Sequence, residues 1–298
     1  MELVSVIIPT KDRLTALKKA INSIYNQTYP YTEIIVIDDG STDDTPDFLL
    51  QESKSGNIIF FRNDISVGGG EARNIGIRNA TGEYIAFLDD DDEWLPTKLE
   101  KQIPLFQDPE VGLVYSGLEL NFEDYRIRYK SIPKMEGYIY DEMLIENRIG
   151  GTVTVVLRNN IAKNYLFDST MPARQDYDFW LRICKDWNVK GVKESLVSVY
   201  AGGIKRITSD VKNYENAIQK INLKYDNEVK KLTHVQKKQR KAAQNFFLAS
   251  QAIKANNLKV ARKYFFASLT YQIKIKTIVS FISSFFGIRT ILFLRKLK

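Results

Sequence analysis

The chain has one cysteine, one histidine and no acidic residue beyond Glu228. A single thiol, Cys184, excludes an internal disulfide and a cysteine-rich metal site. It lies in the apolar pattern Phe179-Trp180-Leu181-Arg182-Ile183-Cys184, which suits a buried structural role. The lone His234 stands in a lysine-rich stretch, so a histidine-based zinc site is excluded and Ser-His-Asp catalysis is disfavoured. No secretory leader is apparent, because Met1-Glu2 runs directly into an apolar strand pattern; a cytoplasmic location is expected. The longest apolar stretch, residues 278–294, is 17 residues long and contains Arg289. That is short of the roughly 20 residues that cross a bilayer. It reads instead as an interfacial or partly docked amphipathic helix.

What is present is unevenly distributed. Residues 211–298 carry 19 Lys and Arg against 3 Asp and Glu, whereas residues 1–210 carry 24 against 33. A basic block on an acidic body seeks a polyanion, either nucleic acid or an anionic membrane leaflet. The basic part lacks the interleaved base-stacking motifs of nucleic-acid binders, so a membrane surface is the expected partner. The 298 residues, 44% apolar, allow one large or two modest domains. The change in charge places the boundary at residue 210.

Strand and helix patterns alternate five times in the first 115 residues. The apolar strands are Val4–Pro9, Glu33–Ile37, Ile58–Phe61, Tyr84–Leu88 and Val111–Tyr115. Helical spacing separates them, the last helix being expected over 96–106. This predicts a parallel α/β sheet with right-handed crossovers. Residues 119–140 read as short antiparallel strands or a flap. Further strands are expected over 149–157 and 197–200, and a helix after Pro172. Beyond residue 210 the pattern is helical, with a capping box at Thr233-x-x-Gln236 and a turn at Asn256-Asn257.

In a parallel sheet, ligands bind outside the carboxyl ends of the strands. Three chemistry-bearing segments fall there: Pro9-Thr10, Asp38-Asp39 and Asp89-Asp90-Asp91-Asp92. Four consecutive carboxylates repel one another unless a positive charge joins them, and a hard divalent cation is a natural partner.

Taken in order, Val4–Thr10, Ile37–Asp43, Gly70–Asn74, Phe87–Asp92 and Arg174–Arg182 resemble the motifs of the family 2 glycosyltransferases, inverting enzymes of GT-A fold. The resemblance covers about residues 1–210. It implies a Rossmann-like nucleotide-diphospho-sugar transferase domain with a C-terminal helical extension at 211–298. It also implies a nucleotide-sugar donor, most often a UDP-sugar, and Mn²⁺ or Mg²⁺ as cofactor. Matched residue by residue, Pro9, Thr10, Asp38, Asp39, Arg73, Asp89 and Asp90 would lie at the nucleotide sugar. Asp91, with Asp89, would hold the metal. Asp176 would be the catalytic base, with Asp178 as its competitor, and for Arg73 a salt bridge to the acidic cluster is the alternative.

Two departures from the family pattern bear on function. Gln175 stands where many relatives carry Glu, and the loop 202–209 has no late histidine, leaving Lys205 or Arg206 to close over a diphosphate. The Q-x-x-R-W signature of processive synthases is missing, which implies one sugar per encounter. The expected acceptor is a lipid-linked or cell-surface glycan or an anionic polymer. A catalytically silent sugar-nucleotide binder or scaffold is the alternative.

Overall fold

The computed structural model describes residues 2–201 and 211–296, so Lys205 and Arg206 lie outside the described residues. The first half runs β1 (Val4–Thr10), α1 (Leu14–Tyr25), β2 (Thr32–Asp38), α2 (Thr45–Lys54), β3 (Ile59–Arg62), α3 (Gly69–Asn79), β4 (Tyr84–Phe87), β5 (Asp92–Trp94), α4 (Lys98–Gln102) and β6 (Val111–Phe122). It continues with β7 (Ile127–Ser131), α5 (Tyr140–Ile145), β8 (Val155–Arg158), α6 (Asn159–Tyr165), α7 (Gln175–Cys184) and β9 (Asn188–Ala201). The C-terminal part is helical: α8 (Val211–Lys224), α9 (Asp226–Lys231), α10 (His234–Lys254), α11 (Leu258–Tyr271), α12 (Ile275–Ser283) and α13 (Ile288–Lys296).

The sheet is mixed, not all parallel. Its order is β3-β2-β1-β4-β8-β6-β9-β5, with β7 paired to β6. Strands β3, β2, β1 and β4 are parallel, as the alternation predicts. Strand β8 then inserts antiparallel between β4 and β6. Its run Val155-Val156-Leu157 is buried on both faces, and such a run carries no information about direction. The expected strand over 149–157 is shorter than its apolar pattern, because Thr152–Thr154 forms a 3₁₀ turn. The helix expected over 96–106 is also cut short. It ends at Gln102 and tightens into a 3₁₀ turn at Ile103–Gln107, where Pro104 supplies no N–H.

Period-two alternation sorts the strands' side chains between the two faces of the sheet. Ile7, Ile35, Ile37, Ile85 and Phe87 form one core with α3, α5, α6 and α7. Val4, Val6, Ile8, Ile34, Val36, Ala86 and Leu88 form the other with α1, α2 and α4. Helix α3 lies so close to β1 that a Cβ on Gly76 would sit 2.4 Å from Ile7 Cγ2. The first core also includes Tyr214, Ala217, Ile218, Ile221, Tyr225 and Leu248 from α8–α10, so hydrophobic packing runs across residue 210. Cys184 is fully buried there.

Residues 278–294 form no single helix. Gly287, at φ 106°, breaks the segment into α12 and α13. Helix α13 buries Ile291 and Leu292 against Phe122, Ile127 and α11. Helix α12 and the turn after it are inverted: Thr277, Ser280, Ser283 and Ser284 are buried, while Ile275, Ile282, Phe285 and Phe286 are exposed. Ser280, Ser283 and Ser284 donate to the helix's own carbonyls at Lys276, Val279 and Phe281, which makes their burial tolerable. No helix among the described residues is long and apolar enough to cross a membrane.

Candidate active site

The carboxyl ends of β1, β2 and β4 bring the sequence-derived residues together. Register places Thr10 beside Asp38, and the Asp39 N–H donates to the Thr10 carbonyl at 2.9 Å. Pro9 pairs with Ile37 in the same ladder. The Thr10 hydroxyl donates to Asp90 at 2.8 Å, tying the end of β1 to the acidic run. Arg13, at the head of α1, donates to Asp90 at 3.0 Å and to Asp91 at 3.2 Å. Burial pushes the Asp90 carboxyl up to about 6, against the opposing pull of Arg13 and Thr10. Asp90 is therefore an interior link between β1, α1 and β4.

The two aspartates ending β2 face different partners. Asp38 is fully buried; it accepts from the Ser41 N–H at 2.9 Å and from Arg62 at 3.0 Å. This fixes the turn after β2 to the end of β3. Asp39 accepts from Asn63 at 2.9 Å, Ser66 at 2.6 Å, the Val67 N–H at 2.8 Å and the Gly68 N–H at 3.0 Å. Burial alone would raise its pKa, but these hydrogen bonds outweigh it and hold the carboxyl below its ordinary range. Asp39 thus shapes the loop 63–68 leading into α3. Arg13, Asn63 and Ser66 carry no signal in a strand-and-motif reading, because they become partners only through turn geometry.

Arg73 on α3 pairs with Asp89 and donates to the Gly69 carbonyl at 3.0 Å. Its alternative role, the salt bridge to the acidic run, is the one the geometry displays. Asp89 and Asp91 diverge on either side of Asp90. Asp89 lines a cavity of about 580 Å³, shared with Gly68, Arg73, Asn147, Gly151, Arg174, Gln175 and Asp176. Asp91 lines a separate crevice of about 730 Å³ with Asp12, Arg13, Asp43, Asp44 and Glu93. Asp92 belongs to β5 and accepts from the Tyr200 N–H at 3.3 Å.

Asp176 stands in the first turn of α7 and accepts from the Tyr177 N–H at 2.7 Å. Burial pushes its carboxyl above the ordinary range, with Tyr177, Arg174 and Arg73 pulling the other way and Asp89 adding to the rise. A raised carboxyl in a cavity has the chemistry of a proton acceptor. Gln175 beside it packs closely on α3: a Cβ on Gly70 would meet its amide at 2.9 Å, so a larger residue there would displace the Gln175 side chain.

Asp178, the competing base, faces away from this cavity. It is fully buried, with Lys224 at 2.8 Å, Arg182 at 3.1 Å and the Tyr225 hydroxyl at 3.0 Å. It bolts α7 to α8. The far wall of the Asp176 cavity comes from the C-terminal helices through Tyr214, Phe247, Gln251 and Lys254. In sequence these residues read only as parts of helices.

Among the described residues, no three side chains of His, Cys, Asp or Glu converge as a ready metal cage. A Mg²⁺ or Mn²⁺ completed by substrate phosphates needs only one or two carboxylates. Asp89 and Asp91 are each a hard oxygen donor after β4, one lining each crevice, and that donor chemistry suits such an ion.

Comparison with known proteins agrees with this geometry. A family model described as Glycosyl transferase family 2 matches residues 5–165. The chain is 35% identical over 202 residues to an Escherichia coli protein, UDP-Glc:alpha-D-GlcNAc-diphosphoundecaprenol beta-1,3-glucosyltransferase WfaP, covering 67% of this chain and 77% of that one. It is 32% identical over 190 residues to the E. coli enzyme of the same activity named WfgD, covering 64% and 73%. In three dimensions it is similar to S. aureus TarS 1-349 in complex with UDP-GlcNAc, with TM-score 0.60 and 15% identity over 98% of this chain and 90% of that one. It is also similar to the mannosyltransferase PcManGT from Pyrobaculum calidifontis in complex with GDP-Man and Mn²⁺, with TM-score 0.59 and 16% identity over 99% and 87%. The expected GT-A architecture is thus found, with a curled mixed sheet in place of an all-parallel one.

Proposed function

We propose, since the chain belongs to glycosyltransferase family 2 and is a glycosyltransferase, that it transfers one sugar from a UDP-sugar to a lipid-linked glycan acceptor with inversion at the anomeric carbon. One observation carries this reading: Asp89, Arg73 and Asp176 line a single cavity whose opposite wall is built by the C-terminal helices. The relatives named above act on a diphosphoundecaprenol-linked sugar, which supports the acceptor class.

In this reading the donor lies along Pro9, Thr10, Asp39 and Arg73, with Asp38 and Asp90 holding the surrounding turns. Asp91 and Asp89 would hold Mn²⁺ or Mg²⁺, which when bound neutralises charge on the departing diphosphate. Asp176 accepts the proton of the acceptor hydroxyl as that oxygen attacks the face opposite the leaving group. A single displacement inverts the centre and needs no covalent intermediate.

A screen of UDP-sugars, read as donor hydrolysis with Mn²⁺, tests the reading. One donor should be turned over, and chelation should abolish the signal. Asp91→Ala should lower metal-dependent turnover at least about a hundredfold, in line with loss of a charge-stabilising group at the leaving oxygens. Turnover at the wild-type rate by that variant would sink the metal assignment.

The inverted helix α12 supports a membrane surface as the place of work. Ile275 is 77% exposed and Phe286 73% exposed, flanked by exposed Lys274, Lys276 and Arg289 in a region without acids. Basic residues near an anionic leaflet add about 1 kcal/mol each. Burying an aromatic or branched aliphatic side chain adds about 1.5–3 kcal/mol. Ile275→Ser with Phe286→Ser should therefore lower binding to phosphatidylglycerol vesicles more than about tenfold while leaving the melting temperature unchanged. Truncation at residue 210 is a poor test, because α8–α10 share the main core. Vesicle binding unaffected by the double substitution would exclude this face as the contact.

A further inference from the structure

The guanidinium of Arg174 is a partly buried cation at the wall of the Asp176 cavity, and the reading above assigns it no task. Its Cζ lies 4.3 Å from the centre of the Tyr177 ring and 4.2 Å from that of Phe247, clamped between α7 and α10. Its partial burial lowers its pKa. Among the described residues no carboxylate lies within ion-pair distance of it and no hydrogen bond from its side chain is made. The arginines around it differ: Arg73 pairs with Asp89, Arg182 with Asp178, and Arg240 donates to Leu144 and Asn222. Arg174 also has a left-handed backbone, φ 56°, the kind of local strain that persists where surroundings over-determine a functional geometry.

A guanidinium held between two rings, with no carboxylate partner, keeps its N–H groups for a planar or tetrahedral oxyanion. The cavity on which it opens has Asp176 on the same side and Lys254 on the far wall. Asp89 and Arg73 occupy the donor side.

We infer that Arg174, with Lys254 lining the same cavity, forms the binding site for a phosphate or diphosphate group carried by the acceptor, distinct from the diphosphate of the donor. This deepens the proposed function and rests on it for the word acceptor. A charged head held at Arg174 would set the sugar beside Asp176, with the apolar tail leaving along the C-terminal helices. Phe247 is the positioning residue that packs against the guanidinium at the cavity wall.

Inorganic diphosphate is the probe, titrated calorimetrically into the full chain with UDP saturating, so that the donor's own site is filled. Wild type should bind it. Arg174→Met keeps the stacking volume and should weaken binding roughly ten- to a hundredfold, the range for losing a charge-assisted hydrogen bond. Arg174→Lys should recover part of the loss, which a purely structural clamp would not show. Lys254→Gln, an exposed position, gives a second variant free of folding risk and should weaken binding by a smaller factor. Equal diphosphate affinity in wild type and Arg174→Met, or no binding once UDP is present, overturns the inference. Failure of the proposed function reads differently: no nucleotide sugar is hydrolysed, yet Arg174-dependent diphosphate binding remains.

Discussion

Asp176→Asn is expected to leave donor binding and the fold intact and to lower the rate of transfer by about 100- to 10,000-fold, the usual contribution of a positioned general base. Asparagine keeps the size and the hydrogen bond from the Tyr177 N–H, so α7 should start as before. What it removes is the proposed proton acceptor. The pH dependence gives a second handle. Burial raises the Asp176 carboxyl above its ordinary value of 3.8. The base works only when ionised, so kcat/KM should fall as pH drops through this raised value, and the acidic limb should lie above the range of a solvated aspartate. In Asp176→Asn that limb should vanish together with the activity. Transfer by the variant at the wild-type rate would remove Asp176 from the mechanism.

Asp178→Ala, two residues along the same helix, should do the opposite: unfold the protein more readily without acting on the chemistry. Its carboxylate is fully buried and answers Lys224, Arg182 and Tyr225 together. Removing one member of a buried charged pair leaves the others uncompensated, at a cost of about 3–5 kcal/mol. Lys224 and Arg182 are partly exposed and Lys224 retains Asp168, which places the expected loss near the lower end of that range. Urea unfolding should show a lower midpoint with an unchanged slope. A variant of unchanged stability that fails only in transfer would make Asp178 the base.

These two aspartates show where sequence reading stops. Both occur in Gln175-Asp176-Tyr177-Asp178, both sit in the first turn of α7, and a motif ranks them by analogy. Only the packing of α8 separates them: Tyr225 and Lys224 arrive on one side of α7, and the cavity opens on the other. The acidic run behaves alike. Its four carboxylates are adjacent in sequence, yet the strand's pleat and the turn after it send Asp89 towards Arg73, Asp90 into the interior and Asp91 towards Arg13. The parallel half of the sheet was legible because buried strands alternating with helices leave few topologies. Strand β8 was not, since a doubly buried apolar run is silent about direction.

The C-terminal region divides along the same line. Its basic charge, its helical period and the serines gathered on one side of residues 275–284 are properties of the chain alone. That the serine side faces inward and the phenylalanine side outward was decided by tertiary packing, because an amphipathic pattern defines two faces without saying which one the protein will cover. The sequence by itself determined the order of strands and helices in the first 115 residues, the family motifs and the charge of the two parts, since these depend on local chemistry. Only the tertiary structure decided that Tyr214, Phe247 and Lys254 complete the cavity of Asp176, because contacts between helices 40 to 80 residues apart depend on how both pack against the same sheet.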